Sequence, residues 1–331
     1  MYNLNCTDGY QYTGSEAIYV LDLIPLATGL AAIASDQSLC LFDPTRLSHG
    51  PTKRIRTSHG NLAVAKAYNA AESIVATTGE NGSVSLWDLR LAPAQALALQ
   101  LGGTTSNLMS LACSPSSFTL AAGTELADYQ ASVLLWDIRS ASQPRIQYNE
   151  VHSDDVTELN FHPLEPNVLL SGSTDGLVNI LDLRISDEDD VVITAFNHGS
   201  VHKAAFLNDT EVFAISHDEK FALYSMADDN KAATLDVGDI REVIGCQYVA
   251  NIYPKAQGAG AVTGAGAQDQ QLFKLIHLSK SGPETWALDK DSVVGLPGAH
   301  GSEIVRSFCF FDGQDVVFTC GEDGSVKAWR P

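Results

Sequence analysis

The chain has 331 residues, 45% of them hydrophobic, enough to bury a large core. Forty acidic against 20 basic residues give a formal net charge of −20, which disfavours nucleic acid and anionic membrane and favours basic partners. Six cysteines without a CxxC pair, and a start (MYNLNCTDGY) lacking the basic and apolar regions of a signal peptide, argue for a reduced intracellular protein, cytoplasmic or nuclear.

The longest apolar run, residues 18–34, is interrupted by Asp22, Pro25 and Gly29, and so reads as two strands rather than a membrane span. A hairpin mark follows at Asp36 and Phe42 (36–43). The clearest copy is 72–90, ESIVATTGENGSVSLWDLR: an apolar β run, Asn81-Gly82 at the turn, then alternation as far as Trp87-Asp88 (81–88). Asn-Gly between two such runs predicts a tight primed turn with positive φ at both positions. The third copy (121–137) keeps Trp136-Asp137 but lengthens its hairpin near residues 126–129. The fourth has Asp175-Gly176 and Leu181 (175–182), and the fifth Asp218 and Tyr224 (218–225). The sixth has Asp269 and Leu275 (269–276), and the seventh Asp323-Gly324 and Trp329 (323–330).

Successive marks lie 43 to 54 residues apart, except for one gap of 94 that the stretched third copy divides. This period, with Trp-Asp closing a strand, is the signature of a four-stranded propeller blade. A single hairpin cannot bury its own apolar face, so the copies must stack. The predicted fold is therefore all-β, one seven-bladed β-propeller over residues 1–331. Inner strands are expected at runs such as VTELNF and VRSFCF, and outer strands at 52–56 and 191–195. After Trp329 too little chain remains for an outer strand, so the N-terminal run 2–6 is expected to complete the last blade and remove a free edge.

WDLR at 87–90, WDIR at 136–139 and LDLR at 181–184 resemble a WD-repeat propeller over the whole chain. HSDDVTELNFHP (152–163), SGSTDGLVNILDL (171–183), SHDEKF (216–221), DIREV (239–243) and HGSEIVRSFCF (300–310) are similar to the WD repeat-containing protein 89 family. The resemblance implies a non-catalytic interaction scaffold. The basic C-terminal tail of some members has no counterpart before Pro331, so a role carried by that tail is not carried over.

His, Asp, Ser and Thr together invite a catalytic reading. In the seventh copy, however, His300, Thr319, Asp323 and Trp329 fall at the hydrogen-bonded tetrad positions of WD repeats. His59, Thr77, Asn81 and Trp87 do so in the second copy, and His152, Ser171 and Asp175 in the fourth, where Leu181 replaces Trp. Each member satisfies another that burial would leave unpaired, whereas a catalytic triad needs an exposed nucleophile. A structural role is expected, with no catalytic residue. Gly258, Gly260, Gly264 and Gly266 approach a dinucleotide-binding loop, but Thr263 stands where the third glycine belongs and no strand-turn-helix context surrounds them. They read as a loop feeding a strand. An enzyme with a cofactor there is the weakest reading, and neither cofactor nor metal is expected.

Acids gather where the inner-strand loops and hairpin turns share one rim: Asp36, Glu80, Asp154, Asp155, Asp218, Glu219, Asp239, Glu242, Glu303 and Glu322. Arg241 and Arg306 are each expected to open an inner strand near the channel mouth, pairing with rim acids or receiving an acidic group. Asp187–Asp190 reads as a solvated loop at the outer edge or bottom. The rim is expected to dock a basic peptide or protein on a monomeric propeller that binds neither nucleic acid nor membrane. Turn chemistry and solubility alone also account for acids at such places. The alternative function is a structural subunit that uses its blade sides or bottom face.

Overall fold

A computed structural model describes residues 1–140, 142–227, 232–255, 258–280, 285–311 and 313–331. It contains six four-stranded sheets and one five-stranded sheet, laid down in chain order. Blades 1 to 6 span residues 20–56, 62–101, 108–148, 156–197, 201–239 and 248–297. Blade 7 spans 305–330 and is completed by Asn5–Gln11. Each blade is an antiparallel meander from an inner to an outer strand. The inner strands of successive blades touch all the way round, and Val305–Phe310 meets Val20–Leu26, so the ring closes with seven blades.

The core is divided in the same way. Seven buried apolar clusters each lie at one seam between neighbours; Phe318 and Cys320 of blade 7, for example, pack on Leu30 and Phe42 of blade 1. This is the burial that a lone hairpin lacks. The apolar run at 18–34 forms the strands Val20–Leu26 and Gly29–Ala34.

Four expectations are corrected. First, the completing strand is Asn5–Gln11 rather than 2–6: it pairs with Ser325–Arg330, while Tyr2–Asn3 runs parallel to Trp286–Pro297 of blade 6. Leu4, 7% exposed, is buried with Leu296 and Trp329 where the chain crosses the seam. Second, the hairpin turns are not primed. Gly82, Gly176 and Gly324 have φ of 67°, 98° and 73°, but Asn81, Asp175 and Asp323 are not left-handed. Gly82 N–H donates to the Gly79 carbonyl (3.3 Å), so the glycine takes the last position of a four-residue turn and Asn81 the third, facing the blade.

Third, the glycine-rich run is a loop only as far as Gly260, and Gly264 and Gly266 lie within a strand. Ala261–Ala267 is the wholly buried second strand of blade 6. A Cβ on Gly264 would come within 2.3 Å of the Phe308 ring, and one on Gly266 within 2.1 Å of Tyr248. These glycines make room for aromatic rings. The arms of this hairpin are also longer: the partner of Ala261 is Leu278, the register position that Trp87 holds opposite Val75, so Leu275 is not that position. Fourth, Arg241 does not open a strand. It lies in the short helix Ile240–Ile244, whose Ile240 and Ile244 are buried and whose N-cap is Asp239. The inner strand begins later, at Tyr248–Pro254.

Candidate functional site

All seven inner strands carry the same irregularity near their start: between Val20 and Asp22, Leu62 and Val64, Leu108 and Ser110, Val156 and Glu158, Val201 and Lys203, Val249 and Asn251, and Val305 and Ser307. One extra residue bends each strand at its rim end. The second residue of each pair lies at a common level of a central channel of about 830 Å³, a level of mixed charge where Asp22, Glu158 and Lys203 meet the serines and Asn251.

Above this level lies the rim. In six blades a hairpin-turn amide donates to a carbonyl of the loop entering the inner strand: Ser35 to Tyr19, Glu80 to Asn61, Glu125 to Asn107, Thr174 to Asp155, His217 to Ser200 and Glu322 to Ile304, at 2.9–3.1 Å. Most of the acids named from the sequence stand on these turns and loops, while Asp239 caps the helix Ile240–Ile244 leading into blade 6 and Glu242 lies within it; they are not equivalent. Asp36 is paired with Arg54, and Glu322 with Arg306, the residue that follows Val305 at the start of its inner strand. Asp239 holds Arg241 at 2.7 Å, and that guanidinium keeps its carboxyl below the usual range. Both arginines are thus taken up by rim acids.

Asp155 Oδ1 accepts the Leu126 amide at 2.7 Å and so anchors the long blade 3 hairpin, while Asp154 accepts the Asp155 amide. Glu80 accepts the Asn61 amide at 3.1 Å. Glu219, left-handed at φ 61°, accepts the Val249 amide, and burial raises its pKa. The exposed carboxylates of Asp218 and Glu242 make no hydrogen bond or ion pair with another described residue, and Glu303 is reached only by its neighbour Ser302. These three leave the most charge open to solvent.

The histidine networks run inward from the rim. His59 Nδ1 lies 3.0 Å from Asn81 Oδ1 and its Nε2 2.9 Å from Thr77 Oγ1, which accepts the Trp87 indole N–H at 2.7 Å. His300 contacts Asp323 (2.7 Å) and Thr319 (2.8 Å), and Trp329 donates to Thr319 (2.8 Å). His152 contacts Asp175 (3.0 Å) and Ser171 (2.8 Å). Thr77, Thr319 and Ser171 are fully buried. Burial lowers the pKa of His59 and His300. It opposes ionisation of Asp175 and Asp323 as well, but their histidine partners, together with the Ser153 and Leu177 amides at Asp175 and the Ser325 hydroxyl and amide at Asp323, outweigh it and hold both carboxyls down.

Other blades replace the network piecemeal. In blade 3, Ala122 stands where Thr77 does, and the Trp136 indole donates to the Gly102 carbonyl instead (2.9 Å). In blade 5, Tyr224 reaches His198 at 2.9 Å. Blade 6 keeps only Thr263, whose buried hydroxyl has no partner among the described residues.

Sequence reasoning missed the channel charges. Lys203 Nζ lies 2.7 Å from Glu158 Oε1, and Lys66 lines the same channel. Burial opposes ionisation of Glu158, but the two lysines outweigh it. Burial, with Lys203 and His217 nearby, pushes His202 down to about 4. The signal was a charge at an inward position of an apolar inner strand, as in VTELNF and VHKAAF. The 187–190 turn is also more than solvated: Glu188 accepts the amides of Asn149 and Glu150 at 2.7 and 2.6 Å. On the opposite face, Asp88–Arg90, Asp137–Arg139 and Asp182–Arg184 form repeated ion pairs. Among the described residues, no group of His, Cys, Asp and Glu is arranged to hold a metal ion, and no helix is long and apolar enough to cross a membrane.

The family model described as WD domain, G-beta repeat matches residues 144–182 and 292–330. An uncharacterised WD repeat-containing protein of Saccharomyces cerevisiae is 37% identical over 217 residues, covering 64% of this chain and 53% of that protein. One from Schizosaccharomyces pombe is 28% identical, covering 99% of both. The WD repeat-containing protein 89 homolog of Dictyostelium discoideum is 23% identical over 64% of this chain and 56% of its own length. The chain thus spans about half the length of two of these relatives. A chain from the crystal structure of a mitotic checkpoint complex superposes with a TM-score of 0.74 at 16% identity, over 100% of this chain and 93% of that one.

Proposed function

From the premise that this chain is a seven-bladed WD-repeat propeller, similar to the WD repeat-containing protein 89 homolog, we propose that it docks a basic peptide or protein on its acidic rim. WD-repeat propellers are in general non-catalytic protein-interaction scaffolds, which sets the class. The observation that carries the specific reading is the set of exposed carboxylates at Asp218, Glu242 and Glu303, on a chain of net charge −20. Unpaired charge on a rim speeds encounter with a cationic partner and selects against anionic ones. The histidine networks serve as scaffolding, because their hydroxyls are buried between strands.

The test is affinity purification from native cells at about 100 and about 500 mM salt, conditions that bracket strong and weak screening. Wild type is compared with Asp218→Lys/Glu242→Lys/Glu303→Lys, three changes whose one loss within the described fold is the long 3.5 Å contact between Ser302 and Glu303. Basic proteins lost at high salt and from the variant support the proposal. Partners retained in both favour a structural subunit bound through its blade sides or bottom face.

A further inference from the structure

The blade 3 hairpin rises from the rim between Thr119–Thr124 and Val133–Asp137. Its base is fixed: Thr124 N–H donates to the Ser132 carbonyl (3.0 Å), Ser132 N–H to Thr124 Oγ1 (2.8 Å), and Leu126 N–H to Asp155 (2.7 Å). Its tip is closed by reciprocal Ala127–Gln130 backbone bonds at 3.0 and 2.9 Å, with Asp128 and Tyr129 left-handed at φ 51° and 66°. Turns of this shape favour Asn-Gly, and a tyrosine there is disfavoured by its Cβ. Local folding therefore does not account for Tyr129. Its side chain is 101% exposed, the most exposed large hydrophobic residue among those described, with Leu126 38% exposed at its foot. Glu125 and Asp128 flank it, both exposed, and Asp154 adjoins its anchor.

We infer that this hairpin is an aromatic arm of the rim, and that Tyr129 stacks on an arginine or lysine side chain of the docked partner. A ring face attracts a cation within about 6 Å of its centroid, and the carboxylates of Glu125 and Asp128 supply the countercharge. The hydrogen-bonded turn fixes the backbone that carries the ring, and a tyrosine has only two side-chain torsions left to order on binding, which suits it to a hot spot. The inference rests on the basic-partner reading and locates where the partner sits.

The probe is a fluorescently labelled peptide of eight arginines, followed by anisotropy with the full chain against a Gly/Ser peptide of equal length. Tyr129→Phe keeps the ring and retains wild-type affinity. Tyr129→Ala weakens binding about three- to thirtyfold. Tyr129→Gly relieves the left-handed turn, so it unfolds at an equal or higher denaturant concentration while weakening binding as much. If both truncations bind like wild type while Asp218→Lys/Glu242→Lys/Glu303→Lys loses affinity, the arm is not a contact and the rim reading stands without it. If wild type prefers the arginine peptide no more than the Gly/Ser control, the basic-partner reading fails, and the arm with it.

Discussion

At the scale of single residues, Thr77, Thr319 and Thr263 occupy the same position in blades 2, 7 and 6 but in different surroundings. Thr77 and Thr319 each link an imidazole to an indole, whereas Thr263 links nothing. Replacing Thr77 or Thr319 with valine strands two buried polar groups and is expected to cost about 2 kcal/mol, read from the urea midpoint. Thr263→Val removes an orphan hydroxyl and is expected to be neutral or stabilising in the same assay. The His-to-Trp spacing made the complete networks legible in the sequence. The orphan was not legible, because only the ladder shows Leu278 opposite Ala261.

At the scale of elements, the hairpins could be read because turn residues and period-2 alternation are local signals. The N-terminal strand was placed a few residues early, because Leu4 and the split between two blades depend on a seam far away in sequence. The glycine-rich strand was mistaken for a loop because its packing partners, Phe308 and Tyr248, come from other strands. Gly266→Ala is expected to destabilise by about 1–3 kcal/mol through its clash with Tyr248, by denaturant unfolding. Deleting residues 1–11 exposes the Ser325–Arg330 edge and removes Leu4. It is expected to cost about 3 kcal/mol or more and to promote aggregation, measured by calorimetry and light scattering.

At the scale of the whole molecule, the rim was legible in outline, since acids at turns are visible in sequence. Which of them stay open was not, because the pairing of Asp36, Asp239 and Glu322 depends on where their arginines land. Acid stability follows from the buried histidines. His59, His202 and His300 bind protons more weakly in the fold than in the unfolded chain, whose histidines titrate near about 6.5. The unfolded state therefore takes up more protons as pH falls, so stability is full above about 6.5 and declines toward the folded pKa, about 4 for His202. Asp175, Asp323 and Glu158, whose pKa values are lowered, add a further loss below about pH 4. Urea midpoints across this range are expected to fall for wild type and less steeply for His202→Gln.

The most direct test of the rim is a salt titration of the purified chain with a mixed lysine–arginine peptide, comparing wild type with Asp218→Lys/Glu242→Lys/Glu303→Lys. The account predicts affinity that falls steeply between about 100 and 500 mM salt, as screening shortens to a few ångströms, and a variant that binds weakly throughout. Affinity that is unchanged by salt and by the three reversals would contradict it.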